Sequence, residues 1–203
     1  MSHYNYNDAI TWLEQRGKQV YGDHFAISHS DVPLIKKLLA YFLKDEAMIK
    51  QYNINPHKGI LLIGPIGTGK STLMTLMRFY ESANTRFIFK SCRDISFEFI
   101  QNGYEVIHRY SNRSFQNQEP RAYCFDDLGT ENNLKFFGNE CNVMAEILLS
   151  RYDLFISKKI ITHVTTNLSA SEIEAAYGNR VRSRMREMLN LISFDKNTKD
   201  KRI

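Results

Sequence analysis

The sequence predicts an α/β fold in which a parallel sheet of five strands is flanked by helices. Three observations carry this prediction. Short apolar runs alternate with amphipathic ones along the chain, the pattern of strand–helix–strand units with right-handed crossovers. The apolar run at residues 59–63 leads directly into a glycine-rich loop and then a helical pattern. The chain has 203 residues, of which 43% are apolar, enough for one sizeable core.

The first part of the chain, residues 1–55, is predicted to be a helical extension packed on this core. Ser30 or Asp31 is placed to begin a helix that carries Pro33 in its first turn. Apolar residues then recur at the spacing of one helix face, and these are Ile35, Leu38, Leu39 and Phe42.

The remaining elements alternate through residues 56–195, which we interpret as the core domain. Strands are predicted at residues 60–63, 86–90, 123–125, 160–166 and 191–194. Helices are predicted at residues 71–80, 94–110, 143–155, 171–177 and 178–188. Residues 111–120 are polar and rich in turn formers, which predicts a surface loop. Residues 196–203 are predicted to form a polar basic tail.

Composition argues against several classes of protein. The formal charge of +5 is a mild basic excess that permits contact with nucleic acid without requiring it. The cysteines, Cys92, Cys124 and Cys141, are odd in number and never in C-x-x-C spacing, so neither a disulfide framework nor a zinc site is indicated. No apolar run approaches the ~20 residues of a membrane span, and the first residues lack signal-peptide character. We therefore expect a soluble cytoplasmic protein without membrane contact.

The glycine-rich loop GPIGTGKS fits the pattern G-x-x-x-x-G-K-[ST] between a strand and a helix. Its glycines allow positive φ angles that turn backbone N–H groups inward, and the following helix adds the positive end of its dipole. Lys70 is predicted to bind the β- and γ-phosphate oxygens, and the Ser71 hydroxyl to bind Mg²⁺. The alternative is a glycine turn with an exposed lysine. The predicted nucleotide-binding residues are Gly64, Pro65, Ile66, Gly67, Thr68, Gly69, Lys70, Ser71 and Thr72.

Two acids follow the strand at residues 123–125. The carboxyl ends of parallel strands form the edge of the sheet where ligands bind. Asp126 is predicted to hold Mg²⁺ through its waters, and Asp127 to act as the base or to orient the attacking water. Glu131, four residues further on, could share or supply the acidic role. The alternative for the acid pair is an ordinary turn.

Asn167 follows the strand predicted at residues 160–166. If that strand lies between the first and third strands, Asn167 is beside the acids and could hold a water against the γ-phosphate. The alternative is that Asn167 caps the next turn, and the local residues do not distinguish the two.

A basic helix is predicted near the end of the core. Its buried stripe contains Val181, Met185 and Met188, which leaves Arg180 and Arg184 on one flank and Arg182 and Arg186 on the other. One pair could reach the γ-phosphate bound by a neighbouring subunit, while the other meets DNA phosphate or water. A solvated basic helix is the alternative.

Three segments together, GPIGTGKS, CFDDLGTE and VTTNLSASEIEAAYGNRVRSRM, resemble the AAA+ ATPases of the bacterial DnaC/DnaI helicase-loader and IstB transposition-helper group. The resemblance covers roughly residues 57–195. It implies a P-loop NTPase fold of the AAA+/ASCE type, ATP and Mg²⁺ as ligands, and rings or spirals of identical subunits with ATP sites at their interfaces. It also implies residue roles: Lys70 and Ser71 match Walker A, Asp126 matches the Walker B acid, Asp127 matches the acid after it, Asn167 matches sensor 1, and Arg184, with Arg180 beside it, matches the arginine finger.

The function implied is slow hydrolysis of ATP to ADP, stimulated by assembly or DNA, in DNA replication or transposition. The implied partners are DNA, with single strands favoured, and a replicative helicase or transposase. Residues 1–55 lack the metal-ligand spacing that some loaders carry there. No extended lid follows Phe194, so catalysis would depend more on an arginine from a neighbouring subunit. Two alternatives stay open: a non-catalytic ATP-dependent assembly switch, because Asp127 stands where Glu is commoner, and a P-loop small-molecule kinase.

Overall fold

The structure is a computed structural model that describes residues 4–113, 115–116, 119–131, 134–136 and 139–202. Its helices are α1 (Tyr6–Tyr21), α2 (Val32–Phe42), α3 (Glu46–Gln51), α4 (Lys70–Met77), α5 (Cys92–Asn102), α6 (Glu105–Tyr110), α7 (Val143–Lys158) and α8 (Ala170–Met188). Its strands are β1 (Gly59–Ile63), β2 (Ile88–Ser91), β3 (Phe115–Gln116), β4 (Glu119–Pro120), β5 (Tyr123–Leu128), β6 (Leu134–Phe136), β7 (Asn139–Cys141), β8 (Thr162–Thr166) and β9 (Leu189–Ser193).

Five of these strands form one sheet in the order β2-β5-β8-β1-β9, with every neighbouring pair parallel. The predicted five-stranded parallel sheet is therefore confirmed. Strand β8 lies between β1 and β5. Asn167, which follows β8, is therefore beside the acids that follow β5, as the sequence predicts for this strand order. The carboxyl ends of β1, β5 and β8 consequently meet at one edge, where the glycine loop, the acid pair and Asn167 emerge.

Strand β1 divides the apolar core between the two faces of the sheet. Ile60 and Leu62 belong to the cluster that α1, α2, α3 and α4 cover, whereas Leu61 belongs to the cluster that α5, α7 and α8 cover. This alternation follows from the two-residue period of a strand. Leu13 of α1 and Leu38 of α2 are fully buried in the first cluster, so the helices within residues 1–55 share a core with the sheet.

Helix α8 begins at a capping box and bends at one glycine. The Ser169 hydroxyl accepts from the Glu172 N–H, and the Glu172 carboxylate accepts from the Ser169 N–H. Gly178 has φ 84° and ψ 159°, a non-helical conformation that divides α8 in two. The sequence predicts one helix at residues 171–177 and another at residues 178–188, so the predicted boundary lies at this glycine.

Several predicted elements differ from the observed ones. Within the predicted loop at residues 111–120, the structure pairs β3 with β4 in an antiparallel ladder, while residues 114, 117 and 118 lie outside the described part of the chain. The predicted helix at residues 94–110 is two helices, because Gly103 adopts φ 59° after α5. Helix α1 has no counterpart among the predicted elements.

Two buried polar side chains hold the middle of the sheet. The His163 Nδ1 accepts from the Ile60 N–H at 3.1 Å, and burial lowers the pKa of His163 to about 3. Arg151 of α7 is fully buried and donates to the Thr162 hydroxyl at 2.8 Å and to the Arg121 carbonyl at 3.1 Å. A buried charge requires such partners, and these contacts attach α7 to the amino ends of β5 and β8.

Candidate nucleotide-binding site

The glycine loop connects β1 to α4 and presents the amino end of that helix. Gly67 and Gly69 have φ angles of 78° and 88°, which favour glycine strongly. Gly69 occupies the N-cap position of α4 and supplies no side-chain cap. The first N–H groups of α4 are therefore available to an anion, and the helix dipole favours negative charge at the same place.

Lys70 lies folded over the loop. Its Nζ donates to the Gly64 and Pro65 carbonyls, each at 2.9 Å, and the residue is only 5% exposed. Burial lowers the pKa of Lys70, and the nearby carboxylates of Asp127 and Asp126 oppose that effect. A bound phosphate would offer oxygens with full charge in place of two neutral carbonyls, which is a better partner for the ammonium.

Asp126 and Ser71 are in direct contact at the carboxyl end of β5. The Asp126 Oδ1 accepts from the Thr165 hydroxyl at 2.5 Å. Burial raises the pKa of Asp126, while its hydrogen bonds with Thr165 and Ser71 lower it. A hydroxyl and a carboxylate oxygen are thus adjacent, as the predicted Mg²⁺ site requires.

These two oxygens fit Mg²⁺ that is shared with phosphates. Mg²⁺ in such sites takes one or two protein oxygens, the substrate phosphates and several waters. Over the described ranges, no group of three or more acidic, histidine or cysteine side chains is placed to hold a metal without a second ligand. The donor set therefore suits a metal that arrives with a nucleotide.

Thr165, for which the sequence predicts no role, fixes both acids. Its hydroxyl donates to Asp126 and accepts from the Asp127 N–H at 2.9 Å. Asp127 has φ 54°, left-handed backbone that Asp tolerates better than most residues, and the register between β5 and β8 shifts beside it. The second acid therefore leaves the strand in another direction from the first and lines the cavity over the loop.

Asn167 also lines this cavity, directly after β8. It is exposed, and its side chain has no hydrogen-bond partner within the described part of the chain. The capping alternative does not apply, because the Thr166 hydroxyl accepts from the Leu168 N–H and Ser169 caps α8. The Asn167 amide is available to a ligand or a water.

The cavity has a volume of about 1210 Å³, somewhat more than the ~300–1,000 Å³ typical of small-molecule sites. Three segments enclose it: the glycine loop, the connection between α1 and α2, and the polar tail. Phe25 and Ile27 of the connection line this cavity together with polar residues such as His24 and Ser28. A cavity that holds both the loop and these apolar side chains suits a ligand with a phosphate end and an aromatic end.

Solved structures share this architecture. No family model matches the sequence, and no curated protein matches it either. The DnaC helicase loader aligns with a TM-score of 0.59 and 19% identity over 89% of this chain and 99% of that one. DnaI aligns with a TM-score of 0.54 and 17% identity over 83% of this chain and 87% of that one. DnaA from Aquifex aeolicus bound to AMPPCP aligns with a TM-score of 0.54 and 18% identity over 86% of this chain and 50% of that one.

The chain has the fold of DnaC and DnaI. The sequence identities are all below 20%, so these matches show a shared fold and nothing more. They confirm the DnaC/DnaI side of the resemblance, while the IstB side stays a prediction. None of the helices in the described ranges is long and apolar enough to cross a membrane.

Glu131 does not face this cavity. It accepts a hydrogen bond from the Tyr177 hydroxyl and another from the Gly129 N–H at 2.9 Å. Burial raises the pKa of Glu131, whereas these hydrogen bonds lower it. Glu131 does not line the cavity, so of the two candidates for the water-activating acid only Asp127 does.

The arginines of α8 also lie outside the chain's own cavity. The Arg184 guanidinium lies 5.0 Å from the centre of the Tyr152 ring, and the side chain is half-buried. Arg182 pairs with Glu174 at 2.5 Å, and Arg180 is exposed. The two predicted flanks therefore have different environments, and neither reaches the loop of the same chain.

The polar tail, for which the sequence predicts no role, contacts the glycine loop. The Lys201 N–H donates to the Gly67 carbonyl at 3.0 Å, and its Nζ donates to the Thr68 carbonyl at 2.9 Å and pairs with Asp31. Lys201 and Asp31 are 170 residues apart in sequence. No local pattern signals such a contact.

Proposed function

We propose that this protein binds ATP with Mg²⁺ and hydrolyses it as an AAA+ module that assembles with ATP and acts in DNA replication or transposition. The observation that carries the proposal is the meeting of Lys70, the Ser71–Asp126 pair, Asp127 and Asn167 at one edge of the sheet. The DnaC neighbour is described as a helicase loader, which supports a role in DNA replication, and the DnaA neighbour is bound to AMPPCP, which supports nucleotide binding.

Each residue has a task that follows from its position. The loop N–H groups bind phosphate oxygens, and Lys70 exchanges its two carbonyl acceptors for the β- and γ-phosphates. Ser71 and Asp126 hold Mg²⁺, which neutralises charge on the phosphates. Asp127 accepts a proton from the attacking water or orients it, and the Asn167 amide holds that water in line.

Assembly supplies what the single chain lacks. Arg184 and Arg180 lie outside the chain's own cavity, so they can meet a γ-phosphate only in a neighbouring subunit of a ring or spiral. The net charge of +5 supports binding to DNA, with single strands favoured, beside a replicative helicase or transposase. Such a protein works in the cytoplasm.

The direct test is ATP turnover with and without single-stranded DNA. We expect slow turnover that DNA stimulates, no detectable ATP binding for Lys70→Ala, and normal binding in Lys50→Ala, which removes an exposed lysine of α3. Asp127→Asn should retain ATP binding and lose about 100-fold or more in turnover, because general bases contribute roughly 10²–10⁴-fold. Equal ATP binding by Lys70→Ala and wild type would contradict the proposal.

The second candidate is a non-catalytic assembly switch, which Asp127 favours. The left-handed backbone at position 127 is a structural reason for Asp there, because Asp tolerates it better than most residues. The commoner base is the longer Glu, so Asp127 need not be a catalytic base. ATP-dependent assembly without turnover, with or without DNA, would establish the switch instead. The kinase alternative loses support, because the α8 arginines that would clamp a second substrate do not line the cavity.

A further inference from the structure

We propose that residues 195–202 form a strap over the nucleotide, anchored by Lys201 to the glycine loop and to Asp31, which holds Arg202 against the phosphates from within the same chain. This inference rests on the proposed ATP site. It assigns to the polar tail a role in nucleotide retention.

The anchor leaves the phosphate-binding groups of the loop free. Lys201 uses the Gly67 and Thr68 carbonyl oxygens, through its own N–H and its Nζ. Phosphates are bound by the loop's N–H groups, which the strap does not use. The hydrogen bonds of the anchor can therefore persist while a nucleotide is bound, whereas the Asp200 carboxylate, which lies against Gly67, is an anion that a bound phosphate would displace.

Asp31 is committed to this anchor. It occupies the N-cap position of α2, where an Asp side chain ordinarily accepts from the first turn, yet it makes no capping hydrogen bond. Its side chain is 5% exposed and pairs with the Lys201 ammonium. A carboxylate that is nearly out of water needs a cation, and the strap supplies it.

Gly67 permits the close approach of the strap. A Cβ at this position would lie 1.9 Å from the Asp200 Oδ1, and φ is already 78°. The same Asp200 oxygen accepts from the Arg202 N–H at 2.9 Å. This short turn holds the Asp200 carboxylate and directs Arg202 onward along the cavity wall.

Arg202 is the strap cation that we assign to the phosphates. Lys199 and the carboxylates of Asp195 and Asp200 line the same cavity. Arg202 lines the cavity together with Lys70, and it forms no ion pair with any described acid. Its charge lowers the pKa of Lys70, in addition to the larger effect of burial, so the two cations are close enough to repel each other. A polyphosphate between them removes that repulsion and offers the guanidinium two acceptor oxygens.

The test compares two cations of the same strap. Arg202→Ala should weaken ATP binding by about 10- to 100-fold, the range expected for a hydrogen bond between charged groups. Adenosine, which has no phosphate, should lose less than about threefold. Lys196→Ala removes an exposed charge that does not line this cavity, and it should bind both ligands as wild type does. Titration of a fluorescent ATP analogue and of adenosine measures these affinities.

The anchor is tested separately through dissociation. Asp31→Asn and Lys201→Met should each release the ATP analogue at least about fivefold faster, whereas Lys201→Arg, which retains the charge, should restore slow release. Thermal unfolding without nucleotide provides the control for folding. A purely structural contact would change the unfolding temperature and leave the release rate of the folded protein unchanged.

Several outcomes overturn the inference. Equal ATP affinities of the Arg202→Ala and Lys196→Ala proteins would show that Arg202 does not contact the phosphates. Tighter ATP binding by Lys201→Met than by wild type would show that the tail blocks ATP binding. In both cases wild type still binds ATP, so the proposed function stands. A wild-type protein that binds no ATP overturns the proposed function together with the strap.

Discussion

At the scale of residues, Thr165 determines how the two acids of the site are presented. One hydroxyl group joins the Asp126 carboxylate to the Asp127 backbone. Asp127 also begins a turn, because its carbonyl accepts from the Thr130 N–H at 3.1 Å, and the Thr165 hydroxyl joins that turn to the Asp126 carboxylate. Loss of the hydroxyl should therefore affect metal and nucleotide together.

Thr165→Val keeps the side-chain shape and removes the hydroxyl. We expect the unfolding free energy to fall by about 1–3 kcal/mol, because two buried groups lose their partner. Mg²⁺-dependent ATP binding should weaken as well, since Asp126 loses a hydrogen bond that lowers its pKa. Urea unfolding and ATP titration at several Mg²⁺ concentrations measure both effects. Thr165→Ser retains the hydroxyl and is the control, so equal losses in Ser and Val variants would contradict this account.

His163 should make the stability of the protein depend on pH. The unfolded chain binds a proton near the ordinary histidine pKa of about 6.5, whereas the folded chain does so only near 3. The unfolded state therefore binds more protons between these values, and stability falls as pH falls. The slope is about 1.4 kcal/mol per pH unit, or about 2 kcal/mol between pH 7 and pH 5.

His163→Asn isolates this contribution. The amide oxygen can accept from the Ile60 N–H in place of Nδ1 but does not titrate. Urea unfolding at pH 7 and pH 5 should show a difference about 2 kcal/mol smaller in the variant than in wild type. Parallel pH profiles of the two proteins would show that His163 is not the source.

The parts of the site that could be predicted are those with local signals. Lys70, Ser71, Asp126 and Asp127 stand in short motifs whose chemistry depends on neighbours in sequence. The role of Thr165 depends on a partner 38 residues away, and that of Lys201 on one 170 residues away. Such contacts depend on the order of the strands in the sheet and on where distant parts of the chain meet. The spacing of residues in the sequence does not predict either.

At the scale of elements, α8 connects the acid loop to the arginines. Its first half holds Tyr177, which donates to Glu131, and its second half carries Arg184. Gly178 joins the halves with a backbone conformation that other residues rarely adopt. The bend therefore sets the direction in which the arginine flank would face a neighbouring subunit in the proposed assembly.

Gly178→Ala should test this bend. A Cβ there meets no atom within 4 Å, so its cost is backbone strain alone, about 1–3 kcal/mol. We expect lower stability in urea unfolding and, because Arg184 is redirected, lower turnover of the assembled protein with unchanged ATP binding by the single chain. Asn179→Ala, at the exposed next position, is the control, and it should remain within about 0.5 kcal/mol of wild type. An unchanged stability of Gly178→Ala would mean that α8 can be straight.

Elements with a clear period could be predicted, and those without one could not. The division of α8 follows from Gly178 interrupting a helical pattern, and β1 from an unbroken apolar run. Helix α1 fully buries only Leu13 and Gly17, while Tyr6, Ile10 and Tyr21 of the same face are partly buried against the core. This mixed face gives a weaker signal than the stripe of α2, and aromatic contacts add to it, such as Trp12 with the ring of Tyr80 at 5.1 Å.

At the scale of the whole molecule, activity should depend on contact between subunits. Arg184→Ala should lower ATP turnover by about 10³-fold or more, the lower range for an arginine finger, without weakening ATP binding to the single chain. Arg182→Ala, on the other flank and paired with Glu174, should retain turnover. Steady-state ATPase assays and single-chain titrations measure these effects.

Mixing Arg184→Ala with Lys70→Ala should restore part of the activity. Each mixed interface can combine an intact loop from one subunit with an intact arginine from the other. The measurement is ATPase activity as the ratio of the two variants changes. Absence of recovery under conditions where mixed oligomers form would place the catalytic arginine elsewhere.

The order of the sheet also sets a constraint on biosynthesis. Strand β1 pairs with β8 and β9. Leu61 therefore cannot pair with Val164 and Leu191 until the ribosome has synthesised them, more than a hundred residues later. At about 5–20 residues per second, that interval lasts roughly 5–20 s. During this time a nascent chain exposes an apolar strand with both edges open, and chaperones that shield such segments should bind it on the ribosome.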